Sequence, residues 1–353
     1  MDESQLNTPA HSGFRMPAEW HPHEATWLTW PKDPETWPDR VTHVERIYLD
    51  MIGALTPHEI VNLLVDDEET ERAIRDRVSP ATAAQIHFHH IQTVDSWIRD
   101  YGPNFLVGPN GEVAFNDWIF NAWGNKYEEL KKDDGVPHRL EPFLKLKRFT
   151  PGIVMEGGSI EVNGAGCVLT TEQCLLNQNR NPELSREQIE QYLKDYLGVR
   201  KVLWLGEGIV GDDTDGHIDD IARFVTSNII ICALEDDPED ANYELLQDNL
   251  ARLKAMTDAY GRPFEIVTLP MPGIVGGTST STRDLDRLPA SYANFYIANN
   301  VVLAPVFGHA NDTRAVDTLQ KVFPTRQVIP INCEPLVWGM GTIHCVTQQQ
   351  PKT

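Results

Sequence analysis

Cys345 lies near the end of the chain in the stretch WGMGTIHCVTQQQP (338–351), just after Gly339 and Gly341 and beside His344. Glycines carry no side chain, so backbone or ligand can come close to the sulfur. A lone cysteine reads most simply as a buried structural thiol at a strand end. It becomes a nucleophile only where a base and charge-binding groups reach it from other parts of the chain. Four upstream stretches offer such groups. DSWIRDYGPNF (95–105) places Trp97, Arg99 and Asp100 before a Gly-Pro turn. A ring beside a carboxylate suits a flat cation, and the plainer alternative is an Arg99–Asp100 surface pair over a core Trp97. MEGGSIEV (155–162) sets Glu156 ahead of two glycines at a strand entrance. GDDTDGHIDDIA (211–222) surrounds His217 with Asp212, Asp213, Asp215, Asp219 and Asp220. In a strand, His217 and Asp219 would share a face. A calcium loop is an alternative for DDTDG, against which the regular one-three-five ligand pattern with a terminal Glu is missing. A His-x-Asp metal pair lacks a second histidine at ligand spacing. PASYANFYIANNVVLAP (289–305) carries Ser291, Tyr292 and Asn294 just before a strand.

The elements that must position these groups follow from periodicity. Strands are expected at 25–30, 59–65, 84–91 and 201–205, and helices at 39–55, 67–77, 181–197, 240–259 and 313–322. Asn163-Gly164 marks a hairpin, and Ser185 is a helix cap. Trp20, Trp27, Trp30 and Trp37 line either a pocket or, more simply, core and rim. The order of polar motif, strand, tight turn, strand, helix and strand returns about every 55–75 residues, a little above the usual range for propeller-type repeats. One such unit is too small to bury its own sheet face, so units stack around a common axis. A ring of that kind brings Asp100, Glu156, His217, Asp219 and Cys345 to one central mouth. Residues 1–13 are expected to be a flexible N-terminal tail, and 14–353 a single domain.

Composition narrows the function. The chain has 353 residues, 41% apolar and 23% charged, with a formal net charge of −22. Such a charge disfavours nucleic acid and anionic membrane surfaces and favours cationic ligands. Five cysteines without a CxxC pair look neither like a disulfide framework nor like structural zinc, and fit a reducing cytoplasm. No apolar run reaches membrane-spanning length.

A thiol, a histidine and three carboxylates would repel a peptide oxyanion and welcome a cationic electrophile. Guanidinium fits: it is planar, has five donors and pairs bidentately with carboxylates.

The motifs WIRDYGP, EGGS, DDTDGHID, SYANFYIAN and IHCVTQQQP, in this order over nearly the whole chain, resemble those of agmatine deiminases and the related bacterial peptidylarginine deiminases, in the guanidino-modifying superfamily. That resemblance implies a five-bladed, pseudo-symmetric α/β propeller built from ββαβ-type repeats, with no metal and no organic cofactor. It implies Cys345 as nucleophile, His217 as acid and base, Asp100 and Asp219 as the pair that grips the guanidinium, and Glu156 beside the histidine. Trp97 would stack along the substrate, and Asp213 would face its far end. Agmatine hydrolysis to N-carbamoylputrescine and ammonia, through a thiouronium intermediate, is the activity implied. The alternatives are deimination of arginine in peptides, an amidino transfer, and a polyamine-binding module without turnover. The partner implied is a small guanidino cation, and a homodimer stays open. Where the family often reads GGGNIHC, this chain reads GMGTIHC, with Met340 and Thr342 beside the nucleophile.

Overall fold

Short apolar stretches behind each motif form hairpins. A helix then carries the chain back to lay a third strand parallel to the second, as a parallel pair requires. This unit recurs around the computed structural model, which describes residues 7–273, 275–276 and 287–353. The second blade comprises Asn104–Val107, Val113–Asn116 and Lys147–Phe149, and the third Glu161–Val162, Cys167–Thr171 and Lys201–Leu205. The fourth comprises Ala222–Phe224, Ile229–Leu234 and Glu265–Pro270, and the fifth Tyr296–Ile297, Val301–Val306 and Gln327–Asn332. In all four the first pair is antiparallel and the second parallel.

The first blade is built from both ends of the chain. Gln348–Pro351 pairs antiparallel with His23–Thr29, Trp27 opposite Gln348, and so supplies the strand that a hairpin supplies elsewhere. Ile60–Val65 and Ile86–His90 follow in parallel register. The result is the expected five-bladed α/β propeller of ββαβ units.

Amphipathic helices cover the sheets. Val41–Leu55 buries Val44, Ile47, Tyr48, Met51, Ile52 and Leu55, the three-four spacing of one helix face. Each such large side chain contributes about 1.5–3 kcal/mol through burial. Arg186–Leu197 starts on a capping box between Ser185 and Gln188, which satisfies two otherwise unpaired N–H groups. Trp27, Trp30 and Trp37 are core residues, and Trp37 packs tilted against Trp97 at 5.5 Å between ring centroids.

Residues 1–6 of the expected tail lie outside the described residues. Residues 8–13 are anchored: Thr8 is buried, Ala10–Ser12 forms a 3-10 turn against the helix Arg186–Leu197, and the Phe14 N–H donates to the Pro9 carbonyl. The helix Val136–Leu144 escaped the periodicity reading because it contains Pro137 and Pro142. Pro137 falls in the first turn, where no intrahelical donor is lost. Among the described residues no helix is long and apolar enough to cross a membrane.

Candidate active site

Every blade sends one polar residue to the axis from the turn just ahead of its first strand. These are Asp100 before Asn104–Val107, Glu156 before Glu161–Val162, Asp219 before Ala222–Phe224, Asn294 before Tyr296–Ile297, and Cys345 before Gln348–Pro351. Asp100 sits in the single turn Ile98–Tyr101, and Glu156 leads into the 3-10 turn Gly157–Ser159. His217 and Asp219 are not on a strand, as their spacing suggested. His217 stands just ahead of the 3-10 turn Ile218–Asp220, and both side chains come to Gly158.

Gly158 is the point where three of these groups meet. A Cβ there would lie 2.6 Å from His217 Nδ1, 2.8 Å from Asp100 Oδ1 and 3.1 Å from Asp219 Oδ2. Only a glycine leaves that space open, and its N–H donates to Asp100 Oδ1 at 2.9 Å. The other Asp100 oxygen accepts from the Trp123 indole at 2.9 Å. Trp123 is presented by a run of left-handed backbone, with φ of 55° at Ala122, 51° at Trp123 and 64° at Asn125. Such conformations are costly for L-residues and gather at functional sites. His217 is 1% exposed, and its Nε2 meets no partner among the described residues.

The sulfur of Cys345 stands beside this cluster, 3.9 Å from Asp219 Oδ2 and 3.2 Å from Asn294 Nδ2, with the residue 6% exposed. A Cβ on Gly341 would come within 3.1 Å of the sulfur and 2.7 Å of the Trp97 ring. Met340, where the resembling family often has glycine, holds a left-handed φ of 71°, the conformation glycine adopts without strain. Thr342 donates its hydroxyl to Asn294 Oδ1 at 2.8 Å.

Burial sets the charge states, and the neighbours adjust them. Desolvation pushes the Cys345 thiol well above its usual range, and Asp219, Asp220 and Asp100 push it further. Burial, with Asp219 and Glu156 adding repulsion, raises Asp100 to about 8. Burial lowers His217 to about 3, against the pull of Asp219. Desolvation raises Asp219, but its hydrogen bond and charge interaction with His344, together with His217 and Arg223, bring it below its usual value. Glu156 is raised by burial despite Arg180, whose Nε donates to Oε1 at 2.7 Å. These shifts favour a neutral thiol, a neutral imidazole, an ionised Asp219 and an incompletely ionised Asp100.

The cavity in front of the sulfur measures 580 Å³ and is lined by Trp97, Asp100, Trp123, Tyr127, Asp213 and Met340 among others. Trp97 is fixed by Asp95, which accepts its indole N–H at 2.8 Å. Asp213 lies at the outer part of the cavity, already paired: it accepts from Tyr127 and faces Lys126 Nζ at 3.5 Å. Arg99 forms no surface pair with Asp100; it is buried on the far side, bonded to Gln349 Oε1 and the His344 carbonyl.

The acids of DDTDG are engaged within the protein. Asp212 accepts the backbone N–H groups of Thr214, Gly216 and His217, and Asp215 pairs with Arg180 and Lys126. Those contacts make the loop a hydrogen-bonded cradle for His217. One ligand atom each from Glu156, Cys174 and His217 lies within 4.8 Å of the others, as do those of Asp219, Asp220 and Cys345, and of Glu19, Glu161 and His344. Arg180 on Glu156 and Arg223 on Glu19 already supply positive charge to two of these groups.

All seven residues singled out in the sequence lie here, Cys345, His217, Asp100, Asp219 and Glu156 at the centre and Trp97 and Asp213 along the cavity. Asn294, Trp123, Arg180, His344 and Glu19 were not singled out for the site. Asn294 was within reach, because it occupies in the fourth motif the place that a site residue occupies in the other four.

A closed ring of five ββαβ blades with a thiol, an imidazole and paired carboxylates at its axis is the architecture of a guanidino-modifying enzyme. Residues 15–351 match the family described as Porphyromonas-type peptidyl-arginine deiminase, and the chain belongs to that family. It is 38% identical over 362 residues to the agmatine deiminase of Stutzerimonas stutzeri, covering 98% of this chain and 97% of that one. It is likewise 38% identical over 372 residues to the agmatine deiminase of Medicago truncatula, with 98% of each covered. The solved agmatine deiminase of Enterococcus faecalis superposes with a TM-score of 0.91 at 37% identity, with 98% of each chain covered.

Proposed function

We propose that this protein hydrolyses agmatine to N-carbamoylputrescine and ammonia. The observation that carries the reading is the meeting of Asp100, Asp219 and His217 around Gly158 with a thiol alongside. Two buried carboxylates form a planar grip for a guanidinium and hold its carbon over the sulfur. Arrival of the cation offsets the negative charge that keeps the thiol protonated. The Cys345 proton passes to His217 as the S–C bond forms. His217 then gives that proton to the departing nitrogen, and ammonia leaves a thiouronium on Cys345. His217 next takes a proton from water, whose oxygen adds to the carbon; the C–S bond breaks and the ureido product leaves.

The charge of the cavity lining favours a small substrate with a second positive charge. Among the described residues, Asp33, Glu35, Asp95, Asp100, Glu128, Glu129 and Asp213 line the cavity against a single cation, Lys126. Agmatine's amine is drawn to that lining, whereas free arginine would bring a carboxylate into it. Asp213 would share its carboxylate between the amine, Lys126 and Tyr127. Deimination of arginine in peptides is the second reading, favoured by that existing pairing, since a neutral backbone leaves it undisturbed.

The working unit is residues 14–353 as one domain, a reading supported by the pairing of His23–Thr29 with Gln348–Pro351. Five unpaired, buried thiols support the cytoplasm as its compartment, and the net charge of −22 supports a partner that is not nucleic acid. Ammonia release measured side by side on agmatine, free arginine and an arginyl peptide tests the assignment. Turnover of agmatine alone is the expected result, and turnover of the peptide alone would replace it with the second reading.

A further inference from the structure

We propose that His344 is a positioning residue for the guanidinium grip and that Glu19 holds it in place; the identity of the cation rests on the deiminase reading above. Asp219 can serve a guanidinium only if its carboxylate keeps one orientation. Its Oδ2 is bound to His344 Nδ1 at 2.7 Å, while its Oδ1 is buried and has no partner among the described residues. The first oxygen is thus anchored and the second is left for the ligand.

The imidazole cannot turn away, because its other nitrogen meets Glu19 Oε2 at 2.7 Å. Glu19 is itself immobilised. Its Oε1 accepts the Ile297 N–H at 2.7 Å, and Arg223 lies 2.8 Å from Oε2. Arg223 in turn bonds Glu161 at 3.0 Å and the Phe295 carbonyl at 2.6 Å. Ionised carboxylate oxygens on both sides of the ring only accept, so each of the two contacts needs one proton from the ring.

The main chain of His344 is tied as firmly. Its N–H donates to Asn294 Oδ1 at 3.0 Å and its carbonyl accepts from Arg99 Nε at 3.2 Å. One residue therefore registers the next residue's sulfur against the carboxylate that holds the substrate. Asp219 also faces His217 and Arg223 on its cationic side, and Asp100, Asp212, Asp220 and Cys345 on its acidic side. His344 adds to these a 2.7 Å bond to Asp219 Oδ2. Losing that donor moves the ionisation of Asp219 towards higher pH.

The test is ammonia release from agmatine between pH 5 and 9 by the full chain and by folded His344→Gln and Glu19→Gln variants. His344→Gln should raise KM about ten- to a hundredfold, the worth of a charge-assisted bond. It should also shift the acid limb of kcat/KM to higher pH. Glu19→Gln should move both in the same direction by less. Unchanged KM and acid limb in both variants would overturn the proposal, as would a fall in kcat alone, which a filler of the core would give. Should His344→Gln fail to fold, Glu19→Gln decides by the same criteria. Proton NMR of the 15N-histidine-labelled wild type supplies a readout independent of turnover. Two exchange-protected ring-contact protons on His344 are expected, and their absence overturns the clamp. A wild type that releases no ammonia from any guanidino compound defeats the deiminase reading, while the NMR signals still decide the role of His344.

Discussion

Asn294 points its amide nitrogen at Cys345 Sγ from 3.2 Å, and its oxygen is fixed by donors from Thr342 Oγ1 and the His344 N–H. Two donors on the oxygen leave the amide a single orientation, so an N–H faces the sulfur. Around a thiol pressed by Asp219, Asp220 and Asp100, a neutral donor of this kind favours the thiolate without adding charge that would repel a guanidinium. Asn294→Leu should lower kcat/KM for agmatine by about ten- to a hundredfold. It should also slow alkylation of Cys345 by iodoacetamide at neutral pH. Equal alkylation rates in the two proteins would show that the amide does not act on the sulfur.

Asp100, raised to about 8, ties ligand binding to pH. A cation favours its ionised form, so binding below that pH expels a proton and tightens as pH rises towards 8. Calorimetry of agmatine with a Cys345→Ala variant, in two buffers of different ionisation enthalpy, should show proton release at pH 6.5–7 and tighter binding at pH 8. Binding that is constant over this range would contradict the grip.

The same raised value has a stability sign. A carboxyl with a folded-state pKa above its unfolded one contributes stability that is full below about pH 4 and is lost as pH rises through about 8. Asp100→Asn should therefore melt higher than the wild type at pH 8, by an amount on the order of a few kcal/mol or less, and close to it at pH 4–5. The same variant should lose most activity. Thermal denaturation at the two pH values reads the difference directly.

Gly158→Ala introduces a methyl within 2.6 Å of His217 Nδ1 and 2.8 Å of Asp100 Oδ1. Activity should fall by at least about a hundredfold, since misplacement of about 1 Å costs that much. A folded variant that retains normal turnover would mean that the substrate does not use this space.

Arg180 and Glu156 form a fully buried pair at 2.7 Å. Arg180→Leu leaves Glu156 without its cation and should destabilise the fold by about 3–5 kcal/mol. Arg180→Leu combined with Glu156→Gln should recover part of that loss. Urea unfolding of the single and double variants measures the coupling.

Much of this arrangement was legible in the sequence because each blade repeats one local grammar. Hairpin turns such as Asn163-Gly164, the helix face of Val41–Leu55 and the Ser185 cap are local signals that packing did not override. The repeat brought Asp100, Glu156, Asp219 and Cys345 together because equivalent turns in a ring must meet at its axis. What stayed hidden depends on long-range pairing. Glu19 and His344 are 325 positions apart and meet only when the ring is closed. Trp123 reaches Asp100 through left-handed backbone that its side-chain type disfavours. Asp213 looked free in a run of acids, and its pairing with Lys126 and Tyr127 depends on a neighbouring blade's loop.

The strand Gln348–Pro351 both zips the first blade shut and begins three residues after Cys345. Structural integrity and reactivity therefore share one latch. Peeling this strand from His23–Thr29 would carry the sulfur out of reach of the carboxylates before the other blades had begun to melt. Catalytic output should then be a more sensitive early gauge of unfolding than any signal from the bulk of the secondary structure.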